Sequence, residues 1–263
     1  VAQALYDMEL PRTAGGALPE TVPGAVLALA DRFDLLAGLF AVGAQPTGSS
    51  DPFALRRAAL GVVSILRARP ELAAVSVSRG LEAAAARIRE QGVEVPESTT
   101  EEAHEFVVRR LEQLLLDSGQ DHTLVQAVLP LADVPSRADA TLRELAARRD
   151  DERFRALVTA LQRVRRIVPA DVAGTYDPSV LTEPAELALH GAVDKARSAL
   201  EAASRRRDLA EFADLAAELV DPIDEFFDAV LVMAEDPTVR AARLGLLATI
   251  RDLAAGVVDW DVL

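Results

Sequence analysis

PGAVLALADRFDLLAGLF, residues 23–40, carries apolar side chains at Val26, Leu29, Ala30, Phe33, Leu36, Ala37 and Phe40. Positions recurring every three or four residues gather into one stripe along an α-helix, whereas in a strand they would scatter over both faces. Leu55, Ala59, Val62 and Leu66 repeat the pattern in the next segment. The same spacing predicts helices over residues 71–91, 100–117, 123–129, 137–167 (broken near Asp150), 184–204, 208–219, 222–234 and 237–257. Period-two alternation is almost absent, and no Asn-Gly hairpin signal occurs. Aromatic residues are only 4% of a chain that is 50% hydrophobic, so Ala, Leu and Val supply the apolar content. Ala and Leu are the strongest helix formers. The expected fold class is all-α.

Helix starts are marked by Asp51-Pro52, Asp221-Pro222 and Asp236-Pro237, each ahead of a periodic run. An Asp carboxylate accepts from an otherwise orphan N–H of the first turn, and Pro at the first helical position has no N–H to leave unpaired. Ser98 with Glu101, and Ser136 with Asp139, have the spacing of capping boxes or close variants, and Asp177-Pro178 reads as a turn before a helix starting near Thr182. Three non-periodic stretches punctuate the chain, at residues 45–50, 92–100 and 169–182, the last being the longest. Pro130 and Pro135 interrupt helicity and set an expected boundary between domains at 1–135 and 136–263.

A formal net charge of −14 argues against a uniformly basic nucleic-acid binder and against a polybasic membrane anchor. RNA binding depends on where the positive charge sits, so the sum does not exclude it. The chain has no cysteine, which removes disulfides, zinc–thiolate sites and thiol nucleophiles. No apolar run is long enough to span a bilayer and no signal-peptide pattern opens the chain, which reads as cytoplasmic with no membrane partner. It starts at Val1 inside what reads as a helix, the pattern expected of a fragment.

His104, His122 and His190 are far apart and lack partners at metal-motif spacing; no metal site is expected. Asp31 and Asp34 share a helix face, and the favoured reading is a solvated surface with Arg32 nearby rather than a carboxylate pair for acid–base work. The loop from Gly43 to Ser50 contains glycine but no Lys, so it reads as a turn and not as a phosphate loop. No catalytic residue is expected. Positive charge concentrates at Arg56-Arg57, at Arg163 with Arg165-Arg166, at Arg205-Arg206-Arg207, and at Arg240 with Arg243. Guanidinium forks match phosphate oxygens, which makes these arginines the RNA-binding candidates; pairing with nearby acids such as Asp208 and Glu211 is the competing reading. Trp260, Phe226 and Phe227 read as packing residues rather than base-stacking platforms.

ALADRFDLLAGLF at residues 28–40, then Gly43, Pro46-Thr47-Gly48 and DPFALRRAALG at 51–61, resembles the glycyl-tRNA synthetase β subunit family. DPIDEFFD at 221–228, followed by Val230, Val232-Met233-Ala234, Asp236, Arg240 and Arg243-Leu244, is similar to a segment near the end of that family, and Asp252-Leu253 with Val257-Val258-Asp259 to its terminal run. The resemblance is strong at both ends and weak between residues 71 and 160. It implies an HD-like helical body followed by a helical anticodon-binding bundle of the arginyl-tRNA synthetase type. It also implies binding of tRNA(Gly) in support of ATP-dependent glycylation, with the α subunit or a fused α domain as partner. ATP and Mg would be used by that α part, and no cofactor is implied for this chain. The family's HD-like signature would lie upstream of Val1; Asp31 matches a late Asp of that domain, without the upstream partners that hydrolysis needs. Asn is common in the family where Arg166, Ala229 and Ala242 stand here, and Lys where Arg32 and Ser50 stand. The alternatives are an HD-type phosphohydrolase fragment, for which the H…HD ligand set is missing, and a helical interaction scaffold.

Overall fold

The computed structural model describes residues 1–48 and 50–263. Ser49, inside the predicted turn at 43–50, lies outside the described residues. Among the described residues the chain forms α-helices joined by turns and short 3₁₀ segments, with no strand beyond an isolated bridge between Thr47 and Ser50. The all-α expectation holds. The helices divide between two compact units, residues 1–125 with 131–140 and residues 126–130 with 141–263.

In the first unit Leu29, Phe33, Leu36, Ala37 and Phe40 of the 23–40 stripe are buried along α2 (Val22–Ala41), whereas Val26 and Ala30 are exposed; the helix is capped by the Thr21 hydroxyl, which accepts from the Gly24 N–H. Around α2 lie α1 (Ala2–Met8), α3 (Leu55–Ala68), α4 (Val77–Glu90) and α5 (Thr99–Asp117). Ala28, Leu36 and Ala37 are fully buried, and Phe33 and Phe40 nearly so. Asp31 and Asp34 are exposed as read, but Arg32 beside Asp31 is not part of that solvated surface: it is buried. Its guanidinium donates to Ala28 O of its own helix (2.9 Å) and to the carbonyls of Met8 (3.0 Å) and Leu10 (2.9 Å), which the turn after α1 would otherwise strand. Space for it comes from Gly61 of α3, where a Cβ would stand 2.4 Å from Arg32 Nε.

The second unit is built on α8 (Glu152–Ile167), α9 (Pro184–Arg206), α10 (Leu209–Ala216), α11 (Val220–Ala229) and α12 (Pro237–Ala254). Trp260 is its central side chain, fully buried, with Phe212 and Phe154 at 5.8 and 6.2 Å between ring centroids. The indole N–H donates to Ala254 O (3.0 Å), so the polar atom of this large apolar group is satisfied. Gln162 of α8 donates to the carbonyls of Trp260 and Leu263, fastening the last turn to the bundle. Phe226 is fully buried and Phe227 half-buried, as the packing reading requires.

The helices α9 and α12 run parallel, while α8 runs alongside α10 and α11, with Arg153 near Glu218 and Arg163 near Asp224 and Asp228. Near its start α9 meets the second turn of α12 through Glu186 and Arg243, and near its end Ser204 donates to Ala255 O just past α12. The exit of α8 lies at that same end, since Arg251 of α12 donates to the carbonyls of Pro169 (2.8 Å) and Val172 (2.6 Å). From there the chain returns to the start of α9. From residue 186 to 204 the helix axis advances about 27 Å, and residues 169–182 cover that return as a strap laid back along α12. Thr249 donates to Gly174 O (3.1 Å), and Gly245 brings α12 so close that a Cβ there would stand 2.5 Å from Thr175 O.

Several predicted helix starts shift. Asp51 does cap α3, accepting from the N–H groups of Leu55 (2.8 Å) and Arg56 (3.0 Å), but the helix begins at Leu55 after a left-handed Ala54 rather than at Pro52. Helix α11 starts at Val220, directly after a 3₁₀ turn, so Pro222 sits inside the first turn, where a missing N–H costs nothing. The same helix ends at Ala229 instead of Ala234, with Val230 extended. The 71–91 run divides into a 3₁₀ turn at Pro70–Leu72 and α4, which is capped by Ser76. The Ser98–Glu101 box does not form, because Ser98 is already helical (φ −73, ψ −14) and its hydroxyl does not cap. Ser136 lies within α7 (Pro135–Arg148), and Asp139 instead accepts from Arg67 Nε (3.0 Å). Asp236-Pro237 behaves as read, with Asp236 accepting from Thr238 N–H (2.7 Å) and Pro237 opening α12.

Candidate nucleic-acid interface

The ends of α9 and α12 and the exit of α8 gather the arginines of three last turns. These are Arg165 and Arg166, Arg205 and Arg206, and Arg251, with Arg207 as the left-handed cap of α9 (φ 54). Cations at helix C-termini also offset the negative end of the macrodipole, so each has a structural role before any ligand arrives. What distinguishes them is how far each guanidinium is already engaged.

Arg165 forms a fork on Asp261, with Nε and Nη2 each 2.8 Å from a carboxylate oxygen; these hydrogen bonds push its pKa above the ordinary arginine value. Arg206 pairs with Glu211, and Arg205 lies 3.5 Å from Glu201. Arg251 is occupied by the strap carbonyls and Asp252. Arg166, exposed, and Arg207, half-buried, form no ion pair among the described residues, nor does Arg197, half-buried on α9. Arg197 and Arg205 border a cavity of about 280 Å³ with Ser204, Thr249, Glu201 and Asp252.

The remaining candidates stand elsewhere. Arg163 lies over the Phe227 ring (4.3 Å to the centroid) with Asp224 and Asp228 at 3.7 and 3.8 Å, an acidic setting that screens it. Arg240 donates to Ala234 O (3.0 Å). Arg243 is 12% exposed and pairs with Glu186, which is 1% exposed. Burial works to raise the Glu186 pKa. Hydrogen bonds from Glu183 N–H, Arg243 and Thr182 N–H outweigh it and hold the carboxyl below the ordinary range. Both Arg240 and Arg243 belong to the opening turns of α12, Arg243 about 16 Å along the helix from the arginine-rich end. In the first unit Arg56 donates to Gly48 O (2.6 Å) and Ser50 O (3.4 Å), while Arg57 is exposed and forms no ion pair among the described residues.

Of the other groups singled out in the sequence, His104 and His190 have structural partners. His104 faces Asp133 at 3.3 Å. Burial acts to raise the Asp133 pKa, but His104 and the N–H and hydroxyl of Ser78 hold it far below the ordinary carboxylate range. His190 meets the Tyr176 hydroxyl at 2.8 Å, and His122 is exposed at the start of α6 (His122–Val128). Asp31 and Asp34 are exposed at the lip of an apolar cavity of about 570 Å³ between α2 and α4. Among the described residues no cluster of three or more metal-ligating side chains occurs, and no helix is long and apolar enough to cross a membrane.

A family profile described as glycyl-tRNA synthetase beta subunit matches residues 1–130, and one described as DALR anticodon binding domain matches residues 150–257. The glycine–tRNA ligase beta subunit of Ectopseudomonas mendocina is 37% identical over 270 residues, and that of Pseudomonas aeruginosa 38% over 271, each alignment taking in the whole of this chain. The chain belongs to the glycyl-tRNA synthetase beta subunit family. It spans 38% of the length of these two beta subunits. It spans 24% of a chloroplastic/mitochondrial glycine–tRNA ligase of Arabidopsis thaliana, 36% identical over 267 residues.

Within this beta-subunit chain the anticodon-binding match covers α8 to α12, hence the arginine-rich end and the strap. Sequence reasoning did not single out Arg197 or Arg251. Arg251 stands alone in its run, and its value to the fold comes from carbonyls about 80 residues earlier, for which a local pattern carries no signal.

Proposed function

We propose that this chain is a tRNA-binding part of a glycyl-tRNA synthetase. In this reading its second unit takes the anticodon arm of tRNA(Gly) against the end where α8, α9 and α12 terminate. The observation that carries the proposal is the convergence there of Arg166, Arg197 and Arg207, without carboxylate partners, inside the stretch matching an anticodon-binding domain. Arginines that form no ion pair are those whose attraction for phosphate is not already cancelled within the fold. Phosphate contacts position the RNA, and unstacked anticodon bases carry the sequence readout. The first unit would then be the HD-like body. Glycine activation with ATP and Mg falls to the α subunit or a fused α domain, with no cofactor held by this chain, in the cytoplasm.

The test is equilibrium binding of tRNA(Gly) transcript to the chain across a salt series. The wild-type chain should bind with a steep salt dependence. Arg166→Glu with Arg207→Glu should weaken binding at least about tenfold and reduce the slope of log K against log salt by about two. Absence of salt-dependent binding by the wild-type chain would defeat the reading.

A further inference from the structure

The N-terminal unit holds a second concentration of positive charge, outside the anticodon-binding stretch. A pocket of about 360 Å³ is lined by Arg56, Arg57 and Leu60 of α3 and by Arg110, Gln113 and Asp117 of α5. Elsewhere in this acidic unit arginines find acids: Arg67 pairs with Asp139, Arg69 with Glu71, Arg87 with Glu90 and Arg109 with Glu105. Arg57 and Arg110 form no ion pair among the described residues. The lone carboxylate at the pocket, Asp117, accepts from the Gln113 amide (2.7 Å).

Arg110 is the informative member. Its guanidinium lies over Phe106, 5.6 Å from the ring centroid, and its Nε is enclosed with no hydrogen-bond partner. An enclosed donor left unpaired carries the full cost of its lost hydration, so an acceptor arriving from outside is favoured there. Around that donor stand two further guanidiniums, Arg56 fixed in place by the carbonyls of Gly48 and Ser50 and Arg57 open to solvent. Several planar N–H forks converging on a recess suit a tetrahedral oxyanion with acceptors on every side.

We propose that this pocket is a phosphate site. Resting on the tRNA-binding reading above, its occupant is a backbone phosphate of the RNA outside the anticodon arm. Arg110 Nε–H and Nη–H would donate to one oxygen pair, and Arg57 would close over the outer face.

Arg57→Gln and the Arg57→Gln/Arg110→Gln double variant are compared with wild type on full-length tRNA(Gly) and on the isolated anticodon stem-loop, with thermal midpoints as a folding control. Arg57 is exposed, so its single variant keeps the test alive if the double variant is unstable. The expected result is a loss of about tenfold in affinity for full-length tRNA, a salt slope lower by about one, and unchanged stem-loop binding. Superimposable tRNA curves would overturn the proposal, and an equal loss on the stem-loop would overturn the placement outside the anticodon arm. If wild type binds no tRNA at all, the proposed function fails by itself. Inorganic phosphate then decides the pocket: NMR shifts of the arginine Nε–H signals that vanish in the double variant keep it as a site for free phosphate, and no response overturns it.

Discussion

Gly245→Ala adds one methyl group to a buried helical position, and the structure specifies what that methyl meets. The new Cβ would lie 2.5 Å from Thr175 O, 2.9 Å from Tyr176 Cβ and 3.1 Å from Thr175 C. Two of these three are backbone atoms of the strap, which no rotamer change can withdraw. To restore ordinary contact the strap must lift by roughly 1 Å, a displacement that strains Thr249 Oγ1 to Gly174 O (3.1 Å) and the two Arg251 bonds to Pro169 and Val172. Overpacking of this kind costs about 1–3 kcal/mol. A weakened hydrogen bond adds about 1 kcal/mol, and the better helix propensity of Ala returns up to about 1 kcal/mol. The net expectation is destabilisation by about 1–3 kcal/mol, which lowers a thermal midpoint by roughly 4–12 °C in a unit of this size. Gly191→Ala on α9 is the matched control, because nothing lies within 4 Å of its Cβ; it should raise stability by about 0.5–1 kcal/mol. Thermal unfolding followed by circular dichroism reads both. Two shifts of the same sign would refute the account of a strap seated on α12.

Trp260→Ala removes the largest buried side chain of the second unit and its bond to Ala254 O, and should cost that unit about 3–5 kcal/mol by urea denaturation. The pH dependence follows from Asp133 and Glu186, both held below their ordinary values in the folded chain. A depressed carboxylate pKa contributes stability that is complete above the unfolded value near 4 and is lost as pH falls through the folded value. The urea midpoint should therefore be flat from about pH 5 to 7 and fall below about pH 4. Asp133→Asn should lose about 1–3 kcal/mol at pH 7 and show a shallower acid decline.

The helix at 23–40 was legible because its stripe, from Val26 to Phe40, keeps helical spacing over about four turns, although Val26 and Ala30 stay exposed. Boundaries were less legible, since Asp-Pro marks cap chemistry without fixing register: Asp51 reaches past a left-handed Ala54, while Asp221 lies inside a helix opened by the preceding turn. Arg32 looked like a surface residue because its carbonyl partners at Met8 and Leu10 are gathered by a turn that helical periodicity does not describe. The arginine clusters were visible as runs of one letter, but their engagement was not. Arg165 and Arg166 are neighbours in sequence, yet one is forked on Asp261 and the other is open, a difference set by residues almost 100 positions away.

The strap also constrains the order in which the chain can be assembled. Residues 169–182 leave the ribosome some 70 positions ahead of the helix on which they lie, so during synthesis they have nothing to rest against. The adjacent helices α9, α10 and α11 can associate as they emerge, because their contacts are close in sequence. The packing of α8 against α12 must wait until α12 has been made, and the closing of Trp260 under α8 waits for the segment after α12. The second unit thus closes only once α12 and Trp260 have emerged, with the earlier helices held open for partners that are made much later.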